Sequence, residues 1–450
     1  MKLFKSSQNS SLFSYFIFVS LLGSLFLCLP FSYKDGNCVN YVDALFTSVS
    51  AVCVTGLSTL QMEIYSRAGL IVILLLIEFG GLGILTFIAL SLALPFKKIS
   101  MVNRNLIKDF FIDDVEYKPR KILYKIILIT LGTQLLGWLL LMPALYFSNT
   151  PDFVFNALFL SISAFCNAGF SPFSTSLATF SNNYYLLSVI MFLIIAGGLG
   201  FVVIIDLSAR IKSFFKHTNH YLSLHSKLVL LFTFILIVGG ALVTFVLCSN
   251  KGLQKYSLNH KIFLSFFESV TLRTAGFEIN PQSDFSPATS LFHIFVMFTG
   301  GSPGSIAGGV KTTTIFLALL YAFNGDENNN NIVLFKKTIP ASSINKAITI
   351  ISRSFVFLAI SIFLLTMTEA TQIIEGKTSL LDIIYECTSA FATVGLSRGL
   401  TSQLTIAGKI VIIITMFIGR TGIFAMALKL GNPRVNTQIV KYPSENVMIG

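Results

Sequence analysis

The chain has 450 residues, 54% of them hydrophobic and 12% charged, with a formal net charge of +12. Soluble domains carry about 25% charged residues, so this composition excludes an ordinary soluble enzyme or binding module: too little polar sequence exists to cover so large an apolar core in water. The basic residues sit in short gaps between apolar runs, which fits the positive-inside rule of membrane proteins and not the clustered face of a nucleic-acid binder.

A helix that crosses a bilayer needs about 20 apolar residues. In chain order, suitable runs predict helices at 12–31, 68–95, 121–147, 183–206, 226–248, 286–323 (interrupted), 346–369 and 404–428. The first follows Lys2 and Lys5, is long for a signal peptide and has no small-residue cleavage site after it, so it is read as a membrane helix. Four shorter, half-apolar stretches lie between the members of each pair: 42–52, 153–165, 260–272 and 380–391. They are too short to span and predict re-entrant segments, whose backbone is tolerated at membrane depth only against protein or a water-filled pore. The linker 96–121, with Lys97, Lys98, Arg104, Lys108, Lys118, Arg120 and Lys121, and the linker 207–227, with Arg210, Lys212, Lys216 and Lys227, are the most basic. The termini and the segment around Lys336 and Lys337 add to that side, whereas Lys34, Arg67, Lys251, Lys255, Lys261, Lys377 and Arg398 are scattered on the other. Both termini and the long linkers are therefore assigned to the cytoplasm of a multi-pass plasma-membrane protein. Gly325–Asn331 reads as a flexible cytoplasmic turn, and no soluble nucleotide-binding domain is recognised. The six cysteines, Cys28, Cys38, Cys53, Cys166, Cys248 and Cys387, form no C-x-x-C pair and read as small buried hydrophobes.

The four short stretches are copies of one another. SVSAVCVTGLS, SISAFCNAGFS, ESVTLRTAGFE and TSAFATVGLS align on Gly56, Gly169, Gly276 and Gly395. Ten residues before the glycine stand Phe46, Phe159, Phe266 and Tyr385; five before it, the small Ala51, Ala164, Thr271 and Ala390. A second signature follows in each copy: Gly80-Gly81-Leu82-Gly83, Gly197-Gly198-Leu199-Gly200, Gly300-Gly301-Ser302-Pro303 and Ile418-Gly419-Arg420-Thr421. A lone glycine in a membrane helix is a packing residue; four in register mark an internal repeat. The predicted architecture is an all-α membrane protein with eight transmembrane helices. Four M1–P–M2 (helix–pore loop–helix) repeats, 12–95, 121–208, 226–323 and 346–430, surround one pseudo-fourfold pore.

Each copy would place an extended, glycine-bearing segment at the axis, where backbone carbonyls replace the hydration shell of a cation. The lining candidates are Val54, Thr55 and Gly56; Asn167, Ala168 and Gly169; Thr274, Ala275 and Gly276; and Thr393, Val394 and Gly395. No carboxylate lies in these triplets, which favours a monovalent ion over a divalent one. The four copies differ, so selectivity weaker than that of a symmetric tetramer is expected. An intramembrane enzyme would need paired carboxylates, a Ser/His pair or metal ligands at depth, and His293 stands alone there. A receptor or scaffold would not need four such loops.

The strings VTGL at 54–57, TLRTAGF at 271–277 and above all GGSPGSIAGGVKTTT at 300–314 resemble the Trk/Ktr/HKT potassium transporter superfamily, over nearly the whole chain. Without an extra helical pair before its first outer helix, the chain is most similar to the Ktr membrane subunit. The resemblance implies potassium uptake by a homodimer with one pore per subunit. It also implies sodium, coupled or activating, as a second ion. It implies a cytoplasmic regulatory ring of the KtrA/TrkA type, the only component to bind nucleotide, and no covalent cofactor. Glycine at all four filter positions goes, in that family, with preference for potassium over sodium. The alternative is a passive pseudo-tetrameric cation channel without sodium coupling.

The resemblance also implies an intramembrane gating loop at 300–311, comprising Gly300, Gly301, Ser302, Pro303, Gly304, Ser305, Gly308, Gly309 and Lys311, with Arg420 facing it. Its glycines and proline break helices, and its spacing fails that of a nucleotide-binding loop. A charge at that depth costs at least about 2.5–3.5 kcal/mol, and Arg420 is read as an electrostatic barrier in the cation path in preference to an arginine paired with a helix-end carbonyl or a buried acid. Lys311 is read either as a second barrier or as neutralising a helix C-terminus. Arg273 is expected to point away from the pore, toward carbonyls or Glu268. Asp43 and Asp382 are expected to cap short helices. Glu78 and Glu278 depart from the family pattern. His217, His220 and His225 read as a solvated loop face rather than a metal site.

Overall fold

The computed structural model describes residues 8–34, 39–93, 119–219, 221–248, 252–324, 332–335 and 337–428. Most of the basic linker at 96–121, the turn Gly325–Asn331, Cys38, Lys251, His220, Lys336 and both termini lie outside them.

The described residues form α1 (Gln8–Cys28), α2 (Tyr41–Val52), α3 (Arg67–Ala93), α4 (Pro119–Phe147), α5 (Phe153–Phe165), α6 (Tyr184–Leu199), α7 (Phe201–Phe215), α8 (Leu224–Cys248), α9 (Leu258–Thr271), α10 (Pro287–Phe298), α11 (Thr312–Asn324), α12 (Ala341–Thr368), α13 (Leu380–Ala392) and α14 (Ile406–Leu428). Three stretches, Tyr124–Phe147, Leu224–Cys248 and Ala341–Thr368, are long and apolar enough to cross a membrane, and the bent pair α6–α7 makes a fourth if counted as one span. The short helices α2, α5, α9 and α13 fall within a residue or two of the predicted re-entrant stretches.

Packing follows a rule. Each short helix packs on the helix before it, and each also meets the helix that closes the preceding unit: α3 touches α5, α6 touches α9, α10 touches α13, and α14 returns to α2. The short helices are the most buried; α2, α5, α9 and α13 each bury most of their residues, whereas α4 and α12 leave many large apolar side chains on the surface. This inversion, apolar outside and tight inside, is what a lipid solvent requires.

Part of the close fit comes from a glycine facing a serine. Ser48 Oγ donates to Ser20 O at 2.7 Å and Ser161 Oγ to Gln134 O at 2.6 Å. In each case a Cβ on the glycine three residues further along the long helix, Gly23 or Gly137, would collide with that serine oxygen. Ser269 donates to Ile237 O at 2.9 Å beside Gly240 in the same way. The fourth unit carries Cys387 and Thr388 instead, and Thr388 donates within its own helix, to Ile384 O.

Two expectations need correction, and a small hairpin adds to the predicted helices. The run 183–206 is not one helix: α6 and α7 meet at 105°, because Gly200 takes φ +91° and the next amide, Phe201 N, donates to Gly304 O at 3.1 Å. Beside the helices, Ile332–Leu334 and Lys337–Ile339 form β1 and β2, a short antiparallel hairpin with Val333 opposite Thr338. Asp43 is not a helix cap: Asn40 holds that position, and Asp43 instead accepts from Thr59 Oγ1 at 2.7 Å and pairs with Lys409 Nζ at 2.6 Å. Asp382 does serve the cap, closing a capping box with Ser379 while also pairing with Arg398 at 2.7 Å. The described cysteines are free thiols, four of them buried.

Candidate functional site

The four repeat glycines meet. A Cβ on Gly56 would lie 3.1 Å from Gly169 Cα, one on Gly169 3.1 Å from Gly276 Cα, one on Gly276 3.2 Å from Gly395 Cα, and one on Gly395 3.1 Å from Gly56 Cα. The ring closes on itself in sequence order, and no side chain larger than hydrogen fits in it. All four glycines have positive φ, between +69° and +97°.

Two residues before each glycine the backbone is left-handed again, at Val54 (φ 56°), Asn167 (56°), Thr274 (70°) and Thr393 (53°). For a β-branched residue this conformation is an outlier, and each instance costs roughly 1–3 kcal/mol. It persists because the short helix above fixes it. Thr55 N donates to Ser50 O at 2.8 Å, Ala168 N to Ser163 O at 2.8 Å, Ala275 N to Thr271 O at 2.9 Å and Val394 N to Ser389 O at 2.8 Å. The hydroxyls of the same residues add a second tie: Ser50 and Ser389 accept from Gly56 N and Gly395 N at 3.1 Å, while Ser163 and Thr271 donate to Phe170 O and Phe277 O.

The amides of these segments are thus turned back into the short helices. Their carbonyls are not used: among the described residues, no carbonyl oxygen of the twelve predicted lining residues accepts a hydrogen bond. Buried backbone carbonyls normally find a donor, so twelve free ones around a single ring form a dense field of negative dipoles. The short helices end immediately before the ring, which adds their negative ends. Such a site suits a cation stripped of water. Above the ring, the four glycines open into a cavity of about 390 Å³.

Below the ring lies the segment 299–311 between α10 and α11, almost wholly buried. Gly300 N donates to Val310 O at 2.9 Å, closing it into a loop. The loop touches the ring: a Cβ on Gly308 would strike Thr393 Oγ1 and lie 3.0 Å from Ala392 O. Ser302 N and Ile306 N donate to Gly198 O and Gly197 O. Arg420 donates to Ile306 O, and also to Gly80 O at 3.0 Å and Gly81 O at 3.4 Å. All four copies of the second signature therefore converge on this loop, and Gly300, Gly301, Ser302, Pro303, Gly304, Ser305, Gly308, Gly309, Lys311 and Arg420 are one assembly.

The remaining charges resolve individually. Lys311 Nζ donates to Ala307 O at 2.5 Å, so it closes the loop rather than a helix C-terminus. Arg273 points away from the ring, to Thr233 Oγ1 at 3.4 Å, and not to Glu268, whose carboxylate accepts from Gln282 Nε2 at 2.8 Å. Gln282 in turn accepts from Tyr385 Oη at 2.8 Å. Glu78 accepts from Gln134 Nε2 at 2.9 Å. His217 is exposed in the turn that follows α7, whereas His225 is half-buried in the first turn of α8 and so does not belong to a solvated loop face. Sequence reading missed Glu386, which accepts from Ser397 Oγ at 2.6 Å and from Thr401 Oγ1. The signal was a carboxylate in the most apolar part of a pore-type helix, with hydroxyls just past the glycine.

A family profile described as TrkH, Cation transport protein, matches residues 6–434. The chain is 35% identical over 447 residues to the "Potassium/sodium uptake protein NtpJ" of Enterococcus hirae, covering 97% of this chain and 95% of that one. It is 31% identical over 456 residues to the "Ktr system potassium uptake protein D" of Bacillus subtilis, covering 100% and 99%. Its fold matches the crystal structure of the potassium transporter TrkH from Vibrio parahaemolyticus with a TM-score of 0.71 at 19% identity, over 96% of this chain and 86% of that one. The chain belongs to the TrkH family of cation transport proteins.

Proposed function

We propose that the chain is the membrane subunit of a potassium-uptake system and that K⁺ crosses at the ring of Gly56, Gly169, Gly276 and Gly395. The observation that carries this reading is the set of twelve unpaired carbonyls around a ring too tight for any side chain. Potassium is the substrate, and the carbonyls of Val54, Thr55, Asn167, Ala168, Thr274, Ala275, Thr393, Val394 and the four glycines take the place of its water. The names of the full-length relatives, which are potassium uptake proteins, support the choice of ion.

In this reading four M1–P–M2 units, 12–95, 121–208, 226–323 and 346–430, supply eight spans, and both termini face the cytoplasm. The cyclic packing of short helices on their neighbours supports it. The loop 300–311 is the gate, held shut by Arg420 and by its contact with Thr393. Opening is driven by a cytoplasmic nucleotide-binding ring, for which the word "system" in the relatives' names gives support. The subunit works as a homodimer, and sodium stimulates uptake, as the relative named for both ions suggests.

Expression in a bacterium lacking its own potassium uptake tests the reading. Growth at limiting external potassium, lost with Gly395→Ser, is the expected result. Failure to support growth with a Ktr-type regulatory subunit co-expressed would count against it.

A further inference from the structure

The residue two past each ring glycine is Ser58, Ser171, Glu278 and Ser397. All four line the cavity above the ring. Each also fastens the chain as it leaves the ring. Ser58 Oγ accepts from Leu60 N at 3.3 Å, Ser171 Oγ from Phe173 N at 3.3 Å and Ser397 Oγ from Gly399 N at 3.1 Å. Glu278 Oε1 reaches further along the chain and accepts from Gln282 N at 2.8 Å.

The three serines serve as an internal control. Each fastens the residue two positions further on with a neutral oxygen. Glu278 alone brings an ionisable group to this level of the cavity. It is nevertheless held firmly: Glu278 N donates to Ser176 Oγ at 3.1 Å, and Glu278 O accepts from Leu177 N at 2.9 Å. Its second carboxylate oxygen has no hydrogen-bond partner among the described residues. No other carboxylate, and no lysine or arginine, lines this cavity among the described residues.

From this arrangement we infer that Glu278 makes the outer cavity a separate cation-binding site, one that takes a hydrated ion before the ring strips its water. A single anchored carboxylate with hydroxyls from the other three copies suits hard cations held by oxygen. It does not discriminate by size, because nothing there encloses the ion. A divalent cation is therefore held more strongly than K⁺, cannot pass the ring, and competes with uptake. The inference rests on the uptake reading above.

The test is rubidium uptake into liposomes at constant ionic strength with Ca²⁺ titrated outside, alongside ⁴⁵Ca²⁺ binding to the purified protein. Glu278→Ser, which restores the symmetric residue, and Glu278→Gln, which keeps its shape, are compared with wild type and with Glu375→Gln on the outer surface. We expect Ca²⁺ to inhibit wild type and Glu375→Gln in the millimolar range. Both Glu278 variants should need about tenfold more, which corresponds to one charge contact. Equal Ca²⁺ sensitivity in all four proteins overturns the inference, as does a wild type insensitive to Ca²⁺. If no protein takes up rubidium, the uptake reading fails instead, and the binding measurement alone decides the site: loss of bound ⁴⁵Ca²⁺ in both Glu278 variants upholds it, and no loss overturns it.

Discussion

Gly308 of the buried loop lies directly beneath Thr393, the left-handed residue two before the fourth ring glycine. The loop and the ring are therefore in contact, and a single methyl group decides whether the loop can seat. In Gly308→Ala the added carbon would meet Thr393 Oγ1 and the Ala392 carbonyl. The loop should be pushed off the ring, so uptake without a regulatory subunit should rise several-fold above wild type. Flux in liposomes containing the membrane subunit alone checks this. An unchanged basal rate would mean that the loop does not limit flow.

Arg420 ties three carbonyls from two elements, Ile306 in the loop and Gly80 and Gly81 in α3. Arg420→Gln keeps one amide donor of shorter reach. Ile306 O, left buried without a donor, costs about 1–3 kcal/mol, whereas Gly80 and Gly81 lie inside α3. The thermal midpoint in detergent should fall while basal flux rises. A lower midpoint with unchanged flux would leave Arg420 as a structural brace only.

Asp43 and Lys409 join α2 to α14 across the junction of the first and last units. Removing one member alone, by Asp43→Asn or Lys409→Met, should destabilise the protein by about 1.5–3 kcal/mol, as for hydrogen bonds to charged groups. The double variant should recover part of that loss, because no charge is then left unpaired. Strict additivity in a double-mutant cycle would show that the two side chains act independently.

Glu386 sits behind the fourth segment and accepts from Ser397 and Thr401, both at the wall of the outer cavity. Glu386→Gln keeps acceptor capacity, whereas Glu386→Ala releases both hydroxyls. The alanine variant should lose preference for potassium over sodium, and the glutamine variant should keep most of it. Competition of sodium against rubidium uptake measures the difference. Equal preference in both would remove Glu386 from any role in positioning the ring.

Much of this arrangement is legible in the sequence because glycine is forced wherever two backbones touch. Gly56, Gly169, Gly276 and Gly395 had to align, and Gly80, Gly197 and Gly419 lie against the carbonyls that end α2, α5 and α13. Short helices were legible from their length. The bend at Gly200 was not, because GGLG also occurs in α3 without any break; only the distant Gly304 carbonyl distinguishes the two. Left-handed Val54, Thr274 and Thr393 run against local preference, so no local signal could reveal them. Asp43 looked like a cap by position, and its partner Lys409 is far away in sequence.

The central claim is that the four-glycine ring is the path of the ion. The most direct measurement is potassium and sodium flux in liposomes through wild type and through Gly56→Ser, reconstituted with a regulatory subunit. A side chain at position 56 meets the Ala168 carbonyl at 2.5 Å and must distort the ring. The predicted result is potassium-preferring flux in wild type and a lower potassium-to-sodium ratio in the variant, with the protein still folded by size-exclusion profile. Identical rates and identical ion preference in the two proteins would contradict the account.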